Sequence, residues 1–331
     1  MSHPRRFKSK HSAAVYHCIS RTVNGERLFN APEKEMLSNH LHQVAEFCGV
    51  EIITYAIMSN HFHLLVRILP KDDVSDAELV RRYRVLHPKP SKYATAQIEI
   101  LEAMLKANAP DAQKLRQQLL SRMGDLSSFM KTLKQRFSIW FNRTHERFGT
   151  LWAERYTSII VEGKGHFALK TVAAYIDLNP VRAGIVQDPK DYRWCGYGEA
   201  VARGGPVLSG LRHAMEGAEC LSDEMLLSVY RVALFGKGAA PKANGGKDAK
   251  ISLDALAKVE KAGGKLSPWE KLRLRVSWFT RGAVIGGEQF VKEHLSEYQR
   301  ITRRRKRMRP HSFHQESIAE WSEMFAMRRA K

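Results

Sequence analysis

Two pairs of side chains have the types and spacing to act on phosphate esters. The first is His61 and His63, which flank Phe62 in the run HFHLLVRIL. The run reads as a strand, and residues two apart in a strand share a face. Both imidazoles can then converge on one ion while Phe62 anchors the opposite face. Two imidazoles and an oxygen ligand leave open positions on a divalent ion. An open position can take a phosphate oxygen, and the ion then withdraws charge from phosphorus. Mg²⁺ or Mn²⁺ suits this chemistry, and Mn²⁺ tolerates imidazole better than Mg²⁺ does. The plainer alternative is two surface histidines at a strand start. His40-Leu41-His42 is an internal control. It falls in a predicted helix, where residues two apart point in different directions and do not easily share an ion.

The second pair is Tyr175 and Asn179, four residues apart in a predicted helix over 166–178. That spacing puts both on one helix face. A phenol could attack phosphorus while the amide oxygen supplies a third metal ligand. A free tyrosine has a pKa near 10, so about one in a thousand is ionised at pH 7. A cation must therefore stabilise the phenolate, or another group must take its proton. The alternative is a core tyrosine and a helix C-cap before Pro180, since Asn-Pro is a common helix ending.

These pairs need elements to carry them. Ala14 to Thr22 alternates and reads as a strand, followed by a turn at Asn24-Gly25. Asn30 with Glu33 reads as a capping box variant. Leu37, Leu41, Val44 and Cys48 then recur at helical spacing, and Gly49 closes the helix. Glu51 to Met58 and His61 to Leu69 form a predicted hairpin across Ser59-Asn60. A strand, a helix and a hairpin make half of a ferredoxin-like layout. Residues 71–124 read as a helical excursion, 126–147 as a stronger helix, and 155–162 as a further strand. Residues 236–250, rich in Gly, Ala and Lys, read as a flexible linker. A small helical, basic module is expected beyond it, with Trp269, Leu272, Trp278, Phe279 and Phe290.

The chain has 331 residues, with 54 Lys plus Arg against 34 Asp plus Glu, a formal charge of +20. That excess favours a polyanionic partner, nucleic acid or an acidic membrane surface. No apolar run approaches bilayer length, which argues against a membrane. Nor does an apolar segment follow the basic N-terminus, so no signal peptide is expected. The four cysteines, Cys18, Cys48, Cys195 and Cys220, are scattered. They form neither a disulfide framework nor a zinc knuckle, and suit a reducing cytoplasm.

Several segments together resemble one family: AVYHCISRTVNG (14–25), ITYAIMSNHFHLLV (53–66), LWAERYTSIIVEG (151–163), AAYIDLNPVRAGIV (173–186) and DYRWCGYG (191–198). They are similar to the REP-associated tyrosine transposases, single-tyrosine enzymes of the HUH superfamily related to insertion-sequence transposases. The resemblance spans residues 10–200 in motif order, and WFTRGAVIGGEQFV (278–291) resembles an extension of some members. It implies an α+β fold, with a ferredoxin-like HUH domain around a central antiparallel sheet, a helical insertion and a C-terminal helical extension. The domain division that follows is a catalytic domain over 1–200 with a largely helical insertion at 71–147, a connecting segment and linker over 201–250, and the C-terminal module over 251–331. The resemblance makes His61 and His63 the metal ligands. Tyr175 becomes the nucleophile that forms a 5′-phosphotyrosine link and releases a 3′-hydroxyl. Asn179 stands where the third ligand stands in the family, a position that is Gln in the simplest members. The implied substrate is single-stranded DNA folded as a hairpin at a repeated palindrome. Tyr156, also in a family segment, is the rival nucleophile, and the spacing to Asn179 favours Tyr175.

Phosphates attract Lys and Arg, and unpaired bases stack on aromatic rings. Candidate DNA contacts are Arg5 and Arg6 in a basic arm with Lys8 and Lys10. Lys131, Lys134 and Arg143 lie on or beside the 126–147 helix, with Arg136 and Arg147. Arg155, Arg182 and the run Arg303, Arg304, Arg305 complete the set. Such charges also mark ordinary solvated faces, and the stripe Phe129, Phe137 and Trp140 fits a core better than a base platform. Two other functions compete with strand transfer. One is a non-catalytic nucleic-acid-binding regulator on the same scaffold, which has no physical reason to hold His61, His63 and Tyr175 together. The other is a metal-dependent hydrolase with a water nucleophile, which needs further carboxylate or histidine ligands. No GxxxxGK[ST] loop is present, as expected when bond energy is conserved in a phosphotyrosine. Homodimer and single-chain action are both open.

Overall fold

The alternating opening segment forms β1 (Ala14–Arg21) in the computed structural model, which describes residues 13–70, 73–107, 109–163, 167–235, 279–280, 282–302, 310–312 and 324–328. The chain turns where Asn24 and Gly25 take φ of 54° and 71°. Helix α1 (Ala31–Cys48) begins where Asn30 N–H donates to Glu33 Oε2 at 2.8 Å, and ends at Gly49 with a left-handed φ of 62°. Leu37, Leu41, Val44 and Cys48 are all buried. Strands β2 (Val50–Ile57) and β3 (His61–Ile68) make the expected antiparallel hairpin.

The polar excursion is helical, as its periodicity predicts: α2 (Asp76–Val85), α3 (Lys92–Lys106) and α4 (Pro110–Leu120). Helix α5 (Leu126–Thr144) is capped by Asp125, whose carboxylate accepts from Ser128 N–H at 2.8 Å. Strand β4 (Thr157–Val161) follows, then α6 (Ala168–Asp177) and α7 (Asn179–Arg182). Next come α8 (Gly196–Arg203), α9 (Pro206–Ala214) and α10 (Asp223–Phe235). Among the described residues no helix is long and apolar enough to cross a membrane.

The fold is α+β. Its first four strands pair antiparallel in the order β2-β3-β1-β4, within the ferredoxin-like β-α-β-β-α-β layout. The pleat separates two faces. Phe62 points to an aromatic cluster in which Trp152 meets Phe62, Phe29 and Phe137 at 5.5, 5.8 and 5.9 Å between ring centres. Phe129 and Phe137 are fully buried, so the stripe on α5 is core. His63, next to Phe62, points the other way, to α6.

Among its described residues the C-terminal stretch adds strands to the expected helical module. They hold helix α11 (Glu288–Thr302), and also β5 (Gly282–Gly286), β6 (His311–Ser312) and β7 (Phe325–Arg328), which continue the same sheet in the order β4-β5-β7-β6. β5 runs parallel to β4, so the seven-stranded sheet is mixed and not antiparallel throughout. The physical reason is GAVIG, a short apolar run that is buried along its whole length. Gly286 permits the contact. A Cβ there would stand 2.6 Å from Phe290 Cδ1 and 2.8 Å from Glu162 Oε2. The expected linker at 236–250, with Trp269, Leu272 and Trp278, lies outside the described residues.

A buried carboxylate fixes α6 to its neighbours. Asp177 is 0% exposed and accepts from Thr54 Oγ1 of β2 at 2.8 Å, Tyr197 N–H of α8 at 2.9 Å and Tyr230 Oη of α10 at 2.6 Å. Burial raises its pKa to about 6, against the opposing effect of those three donors. An amide in its place keeps one oxygen for Thr54 and Tyr197 but turns an NH₂ group toward the Tyr230 hydroxyl, which loses its acceptor. We expect Asp177→Asn to lower the unfolding free energy by about 1–3 kcal/mol, read as a urea midpoint shift with unchanged slope. An unshifted midpoint would remove Asp177 as the anchor of α6.

Candidate functional site

The register of β1 against β3 builds one half of the site. Arg21 stands opposite His61, Ile19 opposite His63 and His17 opposite Leu65. His17 and His63 are therefore diagonal neighbours on one face, within reach of each other. His17 Nε2 lies 2.9 Å from His63 Nδ1, and the two rings stack at 5.1 Å. His61 and His63 are 5.1 Å apart between ring centres at an interplanar angle of 81°. His61 Nδ1 lies 2.7 Å from Asn60 Oδ1, the turn residue of the hairpin.

All three histidines are held neutral by burial. It pushes His17 down to about 3, with the Phe279 backbone acting in the opposite direction. It pushes His61 to about 4, assisted by the charge of Arg21. His63 falls well below the ordinary range, through burial and then the neighbouring His61, His17, Arg21 and Arg182. Neutral imidazoles keep a lone pair for a ligand.

Helix α6 supplies the other half. The Tyr175 ring lies 5.9 Å from that of His63 and 6.2 Å from that of His17. The Arg182 guanidinium sits 4.8 Å from its centre. Phe279 stacks on it at 4.7 Å, with planes 14° apart, and the tyrosine is 2% exposed. Burial raises the phenol pKa, while Arg182, by charge and hydrogen bond, and Arg21, by charge, oppose that rise. Arg182 is thus a cation placed to stabilise a phenolate.

Asn179 Nδ2 donates to the carbonyls of Tyr175 at 2.9 Å and Ile176 at 3.2 Å. Its amide nitrogen ties off the helix end, the C-cap role open to it from sequence. Tyr156 packs elsewhere, 5% exposed, with its hydroxyl 3.5 Å from Ser127 Oγ on α5.

Among the described residues no three His, Cys, Asp or Glu side chains gather as a metal-binding set. The donor chemistry on offer is two neutral imidazoles on one strand face. This fits a divalent ion held at two positions and open at the rest.

The predicted DNA contacts divide. Lys131, Arg143 and Arg155 are exposed. Lys134 is half-buried, donating to the Glu154 carbonyl at 2.9 Å and lying 5.1 Å from the Trp152 ring centre. Arg182 belongs to the tyrosine site. Arg5, Arg6, Arg303, Arg304 and Arg305 lie outside the described residues. Sequence reasoning missed His17, Arg21 and Asn60. The signal was present, because the period of β1 puts His17, Ile19 and Arg21 on one face.

Histidines that stay neutral when folded bind fewer protons than they do unfolded. Their contribution is complete above pH 6.5 and lost as pH falls toward about 4. Buried His40, also pushed to about 4, adds the same sign, whereas Asp177 acts oppositely. We expect urea midpoints in chelator to fall steadily from pH 7 to pH 4.5. A midpoint that rises across that window would refute neutral burial.

The family described as "Transposase IS200 like" matches residues 10–85. A solved structure of a REP-associated tyrosine transposase bound to a REP hairpin aligns with 62% of this chain and 87% of its own, at 17% identity and a TM-score of 0.39. No curated protein matches the chain. The stretch that holds β1 with His17, α1 and the whole histidine hairpin is therefore, by its residues, a match to the IS200-like transposases.

Proposed function

We propose that the chain cleaves and rejoins single-stranded DNA at hairpins formed by repeated palindromes, through a covalent 5′-phosphotyrosine intermediate. The observation that carries the reading is the meeting of Tyr175, His63 and Arg182 from separate elements, with ring centres of Tyr175 and His63 5.9 Å apart and the Arg182 cation 4.8 Å from the phenol ring centre. The family match over residues 10–85 supports it, because that stretch contains His61 and His63.

In this reading His61 and His63 hold a divalent ion, Mg²⁺ or Mn²⁺, with Asn179 as the third ligand. The ion, when bound, draws electron density from the scissile phosphate. The protein's own residues do the rest. Tyr175 releases its proton to solvent, and Arg182 stabilises the phenolate. The phenolate oxygen attacks phosphorus, the bond from phosphorus to the 3′-oxygen breaks, and that oxygen takes a proton from solvent and leaves as a 3′-hydroxyl. Bond energy stays in the phosphotyrosine, so a 3′-hydroxyl can reverse the step and rejoin strands without a nucleotide cofactor. Exposed Lys131, Arg143 and Arg155 offer charge to the phosphate backbone.

A second reading has one observation in its favour. Tyr175 lies buried under Phe279, as suits a nucleic-acid-binding regulator that performs no chemistry.

Labelled single-stranded hairpins taken from palindromes flanking the gene, incubated with Mn²⁺ or Mg²⁺ and run on a denaturing gel, separate the two. We expect a metal-dependent covalent band in the wild type, absent from Tyr175→Phe and His61→Ala, with hairpin binding retained by Tyr175→Phe. Binding without an adduct under both metals would establish the regulator. An adduct that persists in Tyr175→Phe would move the nucleophile elsewhere.

A further inference from the structure

His17 is a buried group near the site that the proposed chemistry does not use. It lies on β1, is 0% exposed, and directs its Nε2 at His63 Nδ1 across 2.9 Å. His63 itself is 2% exposed. A buried imidazole pair at hydrogen-bond distance shares one proton between the facing nitrogens, so one ring donates and the other accepts.

Which ring donates follows from the metal reading. A ligand nitrogen needs its lone pair. The Nδ1 of His63 is already engaged by His17, which leaves Nε2 as its ligating atom. Nδ1 must then carry the proton and donate it to His17 Nε2. His61 shows the same pattern with a different partner, its Nδ1 lying 2.7 Å from Asn60 Oδ1, an acceptor. Each imidazole of the pair is thus held through Nδ1 by one outer group, and each presents Nε2. Metal-ligating histidines commonly have their second nitrogen fixed in this way, which sets both tautomer and ring orientation.

We propose that His17 is a positioning residue: its Nε2 accepts the Nδ1 proton of His63 and so fixes His63 with Nε2 as the metal ligand. The inference rests on His61 and His63 being metal ligands. No role in contacting DNA or the phosphate is assigned to His17. Arrangement by the fold supports the assignment. The β1–β3 register places His17 diagonal to His63, and His17 also lies edge-on to Tyr175 at 6.2 Å. One buried side chain therefore touches the imidazole and the phenol that the proposed reaction must bring together.

Mn²⁺ affinity of the full chain without DNA tests this, measured as free Mn²⁺ by electron paramagnetic resonance. Wild type should bind, and His61→Ala should not. His17→Leu should bind about 10–100-fold more weakly, the loss usual when an outer partner is removed. His17→Gln, whose amide oxygen can still accept, should recover most of the affinity, a rescue that a purely space-filling role would not produce. Wild-type Mn²⁺ affinity in His17→Leu would overturn the assignment while leaving the metal reading intact. A wild-type chain that binds no Mn²⁺ would overturn both. Should His17→Leu fail to fold, the ring protons of the wild type decide the matter. Long-range proton–nitrogen spectra, assigned by the signal lost in His63→Gln, should show His63 protonated on Nδ1. A proton on Nε2 instead would sink the proposal.

Discussion

The carboxylate of Asp177 is the constraint on which the arrangement rests. The site is split between a sheet, which carries the histidines, and a helix, which carries the tyrosine. Nothing in strand pairing fixes how a helix is rotated above a sheet. Asp177 does so through hydrogen bonds, because its two oxygens face donors on β2, α8 and α10 at once. It lies two residues after Tyr175, so rotating α6 enough to move the phenol would break these contacts. A buried acceptor that loses its donors is expensive to leave unpaired. Close approach helps as well. A Cβ on Gly196, at the start of α8, would collide with Thr54 Oγ1, so only glycine lets that helix end sit over the network.

The pleat of the sheet makes the complementary division. In β3 the even-numbered Phe62, Leu64 and Val66 are buried on the side of α5 and Trp152, while His63 faces α6. The apolar face supplies the packing that holds the strand in place. The polar face is then available for groups that tolerate burial only when they are neutral or partnered, and the histidines meet that condition by giving up their protons.

Much of this was legible in the residues. The period of β1 and β3, the cap at Asn30 and the close at Gly49 are local signals, and local signals produced local structure. Tyr175 and Arg182 could be seen to share a segment. What escaped was everything set by pairing at a distance. His17 reads as one polar residue in a strand until the register with β3 puts it beside His63, 46 positions away. The run GAVIG is too short and too rich in glycine to declare itself as a strand, and its partner lies more than a hundred residues earlier. Asn179 was ambiguous for a different reason. A side-chain amide after a helix can cap it or face a ligand, and the sequence is the same in either case.

The parallel contact of β4 with β5 also has a consequence in time. Ile160 finds its neighbour Val284 only 124 residues later in the chain. At synthesis rates of about 5–20 residues per second, β4 waits roughly 6–25 s after it emerges before that partner exists. Throughout that interval the growing protein can already form β2-β3-β1-β4, with β4 as a bare edge. The edge carries Ile159, Ile160 and Val161, together with a row of unpaired backbone groups that any passing strand could match. The last quarter of the chain therefore also covers that edge, and a ribosome that stalls before it would release a protein with a complete histidine hairpin and an open sheet edge.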